Sequence, residues 1–342
     1  MKKTILTSAA FLAASTALFA QSLNISAPGY SGAKLFDSTP GFTITGLAAA
    51  PGGDVFYIET DSATASPTFT PAHSMLYRRS AGGSYAAATP LFDFGAKVFG
   101  SFVRWESGRV FFGESSTGAL RVMNADLSID ALGSVARNYD AAFSGGSLFL
   151  SHNPSGSSAE TKVSRFDLLP DGGGGQMLGP AVVIVDTPDD YPGPIAFNSA
   201  GDLFYGGSGV YGRSDLYRFA AGEVSAALAG GPTVSLDAPH LFLANGSNAA
   251  LAFDAAAGLW HTDFATLDLI DPGTALDTVI GDNPNPYGIG QLDVADGTLY
   301  AVVTNTSFTQ SAVFAIVPEP CAGALLLLGV AALTPRRRRG EG

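Results

Sequence analysis

Cysteine is all but missing from this chain: there is one, Cys321, close to the C-terminus. Residues 21 to 317 therefore hold no internal disulfide and no thiolate nucleophile, and an oxidising compartment is permitted without being required. Charge is scarce too, with Asp, Glu, Lys and Arg together at 14%, and it is one-sided. Lys2, Lys3 and Arg336 to Arg339 lie at the two ends. Between 21 and 317 only 12 of the 18 basic residues remain, against 28 of the 30 acids, a net −16. A body this acidic repels phosphate backbones, which excludes nucleic acid as a partner, and the same charge favours solubility. The four histidines (His73, His152, His240 and His261) show no metal-binding HxxxH spacing. A GxSxG nucleophile elbow is missing, and Gly172 to Gly175 lack the Gly-Lys-Ser/Thr ending of a phosphate loop.

What the chain has in quantity is glycine, proline and apolar residues: 42 Gly, 20 Pro and 46% apolar. That profile suits many short strands joined by turns. A unit recurs six times, a Gly- or Asp-bearing turn followed by an apolar strand with an aromatic: PGGDVFYIET (51–60), ESGRVFFGES (106–115), SGGSLFLSHN (144–153), SAGDLFYGGS (199–208), AAAGLWHTDF (255–264) and VADGTLYAVV (294–303). The apolar residue before the aromatic is Val55, Val110, Leu148, Leu203, Leu259 or Leu299, at intervals of 55, 38, 55, 56 and 40. The short intervals match one four-stranded propeller blade and the long ones a blade with a loop insertion. A small-residue strand precedes each unit (ITGLAAA, SFVRW, DAAFS, GPIAFN, NAALAFD, GIGQLDV), as a crowded innermost strand requires.

The expected fold is all-β: a single propeller over 21–317, of six blades, with seven or a β-sandwich as alternatives. The sixth unit lacks a fourth strand. Residues near Ala33 to Asp37, whose Leu-Phe-Asp echoes 91–93, are expected to supply it and close the ring, removing the open edge. Asp61 to His73 and Asn153 to Glu160 are expected as loops between second and third strands, projecting from one face. Gly172 to Gly175 are expected as a turn.

The ends read as addresses. Residues 1 to 20 carry Lys2 and Lys3, an apolar run from Ile5 to Phe19 and a small residue at Ala20, the signature of a helical signal peptide cut by signal peptidase. The C-terminal run Cys321 to Leu333 is thirteen residues, roughly 20 Å as a helix at about 1.5 Å per residue. A hydrocarbon core is about 30 Å, so this short hydrophobic helix suits transient membrane anchoring better than a permanent span. Arg336 to Arg339 would lie on the cytoplasmic side, leaving the body outside.

Pro318-Glu319-Pro320, then the apolar run, then Arg336, Arg337, Arg338 and Arg339 at the extreme C-terminus resemble the PEP-CTERM sorting signal, here residues 318–339. The resemblance implies a Gram-negative bacterial protein exported through the inner membrane. It also implies an exosortase-type protease that recognises the tail and passes the product to the outer surface or the extracellular matrix, in systems that accompany exopolysaccharide and biofilm. Cys321 stands where that family usually has Ser, Thr or Ala.

Within the body, the position three residues after each aromatic holds Glu59, Glu114, His152, Gly207, Asp263 and Val303. Equivalent positions in a propeller lie on a ring, so Glu59, Glu114 and Asp263 are candidate ligands for a hard cation such as Ca²⁺. Gluconolactonase-like propellers resemble this arrangement in architecture, holding an axial metal with acidic residues and Asn. The favoured reading is that these residues end their strands in solvent and that there is no cofactor; a Ca²⁺ site is the alternative. The acidic stretches Asp186 to Asp190 and Asp277 to Asn285 are expected as solvated turns, and Tyr191, Tyr211, Tyr287 and Trp260 as sugar-stacking aromatics if they line a face. The sequence thus supports a surface-sorted propeller that acts, without enzymatic activity, as a binding or structural component of the cell surface and its extracellular polysaccharide. The alternatives are an extracellular hydrolase or lyase with an axial cation, and a carbohydrate-binding module. Fold alone does not choose among them.

Overall fold

The computed structural model describes residues 21–61, 73–154, 160–188, 191–207, 214–244, 247–284 and 288–319. Both terminal helices expected from the sequence, and with them Pro320 and Arg336 to Arg339, lie outside the described residues, within which no helix is long and apolar enough to cross a membrane.

The chain is a six-bladed β-propeller. Blade 1 is Phe42–Ala49, Val55–Asp61, His73–Arg79 and Ala88–Ala96, and blade 2 is Gly100–Glu106, Arg109–Glu114, Ala119–Met123 and Ile129–Ser134. Blade 3 is Asn138–Ser144, Ser147–His152, Glu160–Phe166 and Val182–Pro188, and blade 4 is Ile195–Phe197, Leu203–Gly206, Leu216–Phe219 and Leu241–Leu243. Blade 5 is Ala250–Phe253, Leu259–Thr262, Thr266–Ile270 and Asp277–Asp282, with Asn24–Ile25 added at its outer edge. Blade 6 is Ile289–Ala295, Thr298–Thr304 and Ser311–Pro318, completed by Tyr30–Asp37. That last strand is the expected ring closure: Ala33 pairs with Ala315 and Asp37 with Ala312, so an N-terminal strand locks onto the last described one. The six repeat units are the six second strands.

Local chemistry explains the hairpins. In blades 2, 3 and 6 the first and second strands join through Ser107-Gly108, Gly145-Gly146 and Asp296-Gly297, two-residue turns with both φ positive. That is the type I′ geometry whose twist matches the strands, and it demands residues that reach the left-handed region cheaply. The second strands are continuous apolar runs rather than alternating ones, because both faces of a blade are covered by its neighbours. Alternate residues then serve opposite interfaces. Val55 and Tyr57 pack towards blade 6, and Phe56 and Ile58 towards blade 2. The hydrophobic core is accordingly six layers, one per joint between blades. A fully buried side chain such as Phe112 or Leu76 contributes about 1.5–3 kcal/mol.

Two insertions add elements between the blade strands. Gly172 to Gly175 turn as expected, at the tip of an extra hairpin, Leu168–Pro170 with Gln176–Leu178, that forms its own small sheet and packs beside the outer strand of blade 2. The long interval after blade 4's second strand contains a helix, Ala221–Leu228, which buries Val224 and Ala227 against blade 3. The stretch Asp277 to Asn285, expected as a turn, is for the most part the outer strand of blade 5.

Candidate functional site

All six innermost strands start at the same face of the ring, and there the axis opens into a cup of about 240 Å³ lined by residues from every blade, including Thr43, Arg104, Tyr139, Pro194, Ala250 and Gln291. A shallower hollow of about 400 Å³ shares Ser115, Tyr139 and Phe264 with the cup and adds Arg137, Asn153, Tyr191 and Asn248.

The floor of the cup has a physical origin. An innermost strand has no partner on its axial side, so its N–H and C=O groups need other hydrogen-bonding partners. In the register set by the second strands, the residues opposite the six aromatic or aromatic-equivalent positions are Ala48, Arg104, Ala142, Ala196, Ala252 and Asp293. Four are alanine, as crowding requires; two are charged, and these two are hydrogen-bonded across joints. Arg104 donates from Nε to Ala141 O at 2.7 Å and from a terminal nitrogen to Leu47 O at 3.3 Å, and it forms an ion pair with Asp140. Asp140 accepts the Ile195 N–H at 2.9 Å and Asp293 accepts the Ala49 N–H at 2.7 Å. Together they link blades 6, 1, 2, 3 and 4 at the axis. Asn248 completes the joint of blades 4 and 5 by donating to Ser214 O at 2.6 Å, and Thr262 that of 5 and 6 by donating to Ile289 O at 3.2 Å. Burial pushes both Asp140 and Asp293 above the usual carboxylate range, and the nearby Arg104 charge opposes that rise.

Aromatic side chains form the rim. Tyr139 and Phe308 are 40% and 51% exposed, which is unusual for such residues in a chain with this much core. Phe264 and Phe308 occupy the left-handed region, with φ of 78° and 53°, at the connections between second and third strands of blades 5 and 6. A bulky residue there is an outlier costing of order 1–3 kcal/mol, and such strain clusters at ligand sites. The side chains of Gln291 inside the cup and of Tyr139 and Arg137 at the mouth make no hydrogen bond or ion pair with another described residue.

The candidate cation ligands fare differently. Glu59, Glu114 and Asp263 all stand at the cup-side ends of second strands, as the repeat implied, but a second strand lies about 4.8 Å further from the axis than the first. Each is taken up locally. Glu59 accepts the Thr39 N–H at 3.0 Å; Glu114 pairs with Arg121 and accepts the Thr117 hydroxyl; Asp263 accepts the N–H groups of Ala265 and Thr266 at 2.9 and 2.7 Å. Among the described residues no group of three or more His, Cys, Asp or Glu side chains is placed to hold a metal ion. The set does not fit Ca²⁺, which takes six to eight oxygens.

Of the aromatics named from the sequence, Tyr191 lines the mouth, Trp260 is core and packs edge-on to Tyr30 at 5.7 Å, and Tyr211 and Tyr287 lie outside the described residues. Asp186 sits in the outer strand of blade 3 beside Lys162 at 3.5 Å, while Asp189 and Asp190 are outside the described residues. Sequence reasoning missed Arg104, Asp140 and Asp293. The signal was a charge inside otherwise small or apolar inner strands, SFVRW, DAAFS and GIGQLDV.

No protein-family model and no curated protein matches the chain. Solved structures do. A gluconolactonase from Xanthomonas campestris, 15% identical, has a TM-score of 0.58 over 87% of this chain and 94% of its own. Regucalcin, a calcium-binding protein from Agrobacterium tumefaciens, is 13% identical with a TM-score of 0.55 over 85% and 96%. A virginiamycin B lyase from Staphylococcus aureus is 13% identical with a TM-score of 0.53 over 84% and 99%. At these identities the likeness is one of fold.

Proposed function

We propose that the protein is exported, processed at its C-terminal signal by an exosortase-type protease, and retained at the cell surface, where the propeller is a non-enzymatic binding component of the extracellular polysaccharide. The observation that carries the binding role is the aromatic-rimmed cup: exposed Tyr139 and Phe308 and half-buried Phe264 surround a polar floor whose own charges are already paired. Flat rings beside free amide and hydroxyl groups suit a saccharide, which presents an apolar ring face and a hydroxyl edge. The metal-dependent lactonase or lyase alternative is less well supported, since the three carboxylates proposed for it are held by their own neighbourhoods. The sorting role rests on Pro318-Glu319-Pro320 and Arg336 to Arg339.

One experiment addresses both halves. In the producing bacterium, removal of Arg336 to Arg339 is expected to leave an unprocessed, cell-associated precursor. The double substitution Tyr139→Ala, Phe308→Ala is expected to leave processing intact while shifting the mature protein from the polysaccharide fraction to the medium. Normal maturation of the truncated form would sink the sorting proposal, and unchanged retention of the double variant would sink the binding role of the cup.

A further inference from the structure

The cup differs in charge from the rest of the molecule. Residues 21 to 317 carry 28 acids and 12 bases, so on composition a cavity should be bordered by carboxylates. Among the described residues that line the cup and its mouth there is one, Asp140, and it is paired with Arg104. The remaining formally charged side chain among the described residues at the mouth is a cation, Arg137.

Arg137 is also exceptional among the cations. Every other described Lys or Arg except Lys97 is held by a carboxylate, a carbonyl, an amide oxygen or a hydroxyl: Lys34 by Asp37, Arg78 by Asp54, Arg79 by Tyr57, Arg104 by Asp140, Arg109 by Gln176, Arg121 by Glu114, Lys162 by Glu160, Arg165 by Asp167 and Arg218 by Asp202. Lys97 and Arg137 have no such partner among the described residues, and both lie on the cup face, in the links entering blades 2 and 3. Both are held at positive φ, 63° and 45°, a conformation that non-glycine residues seldom adopt. In an acidic protein two cations without partners are expected to be scattered; here both lie on the face that holds the cup. Arg137 stands beside Tyr139, Tyr191 and Asn153 in the hollow that continues into the cup.

We infer that the cup selects an acidic sugar, with the carboxylate of a terminal uronate seated on the Arg137 guanidinium and its pyranose ring on Tyr139 and Tyr191, the next hydroxyls reaching towards Gln291. The inference rests on the cup being the saccharide site proposed above and specifies its ligand class. The guanidinium offers two parallel N–H donors at the spacing of a carboxylate's two oxygens, which a lysine does not. Because the Arg104, Asp140 and Asp293 floor occupies the axis, the ligand enters end-on rather than threading through. An acidic body with one cationic cup also orients an anionic chain, repelling it everywhere but at the mouth.

The test is calorimetric titration of the full chain in mild detergent with galacturonate and glucuronate tetramers, each against its methyl ester, which keeps the sugar and removes the charge. At least one free acid is expected to bind ~10-fold or more tighter than its ester, as a charge-assisted bidentate contact implies, and more weakly as salt rises. Arg137→Ala is expected to abolish that preference and Arg137→Lys to restore part of it. Lys97→Ala, outside the cup lining, is expected to keep it, and Tyr139→Ala to weaken acid and ester alike. Equal binding of acid and ester, with Arg137→Ala silent, overturns the acidic-sugar inference while the saccharide cup stands. An equal effect of Lys97→Ala and Arg137→Ala overturns the assignment to Arg137, and tetraglutamate binding as tightly as the uronates overturns the sugar. Loss of all saccharide binding, esters included, overturns both the inference and the cup.

Discussion

Arg104 is the side chain on which three blades meet. It is 14% exposed, Asp140 is 8% exposed, and their pairing is accompanied by hydrogen bonds to backbone carbonyls of blades 1 and 3. Arg104→Met removes the cation and leaves a buried carboxylate whose remaining hydrogen bonds are to N–H groups. Breaking a buried pair in this way costs about 3–5 kcal/mol. The loss is expected to be full at pH 7 and smaller at pH 5, because the Asp140 carboxyl, already pushed up by burial, then takes up a proton more readily; urea denaturation at the two pH values checks it. His152 supplies an independent pH signal. It is buried, its Nε2 lies 2.9 Å from Ser164 Oγ, and burial pushes its pKa down to about 4, with the Lys162 charge adding to the shift. A folded pKa below the unfolded value of 6.5 means that the unfolded chain binds the extra proton. The contribution of His152 is therefore full above pH 6.5 and lost as pH falls towards 4, at up to about 1.4 kcal/mol per unit. His152→Gln is expected to flatten that part of the stability profile between pH 6.5 and 4.5; an unchanged slope would count against it.

At the scale of elements, the closing strand matters most. Tyr30–Asp37 covers the outer edge of Ser311–Pro318, and Glu319 N–H continues the contact to Gly29 O at 2.7 Å, so Pro318 and Glu319 are held by the closing segment. Phe36 also enters the core layer between blades 6 and 1. Deletion of residues 21–37 is expected to expose that edge, lower the melting temperature by several degrees and produce concentration-dependent association, since an unpaired flat edge recruits other strands. Melting scans and light scattering at two concentrations read both effects. The strands were legible because both-faces burial makes each second strand a short apolar run bounded by turn residues, and because the Leu-Phe-Asp echo marked the closing strand. The helix Ala221–Leu228 was not. Its Ala-rich sequence has high helix propensity, but eight residues is below what propensity alone sustains, and its stability comes from burying Val224 and Ala227 on blade 3. His240, between Asp237 and Glu223, then ties that helix to the turn Ala238–His240.

For the whole molecule, six blades and their order follow from period and alternation, which are properties of neighbours along the chain. A twisted sheet with two apolar faces must bury both, and six copies satisfy this by packing in a ring, so the sequence by itself determined the propeller and its closure. Register and radius are different quantities. Glu59, Glu114 and Asp263 occupy equivalent positions in the repeat, and this equivalence was readable. That they stand one strand too far out, with carboxylates already taken by Thr39, Arg121 and Thr266, depends on three-dimensional distance. The axis went instead to Arg104, Asp140 and Asp293, whose backbone partners across the joints lie 37 to 244 residues away. The same holds for the cup, whose lining comes from every blade, and for Arg137, whose lack of a partner is a statement about space. Hydrophobic periodicity is local and survives in the sequence; the pairing of charges at a shared axis is non-local, and only the closed ring decided it.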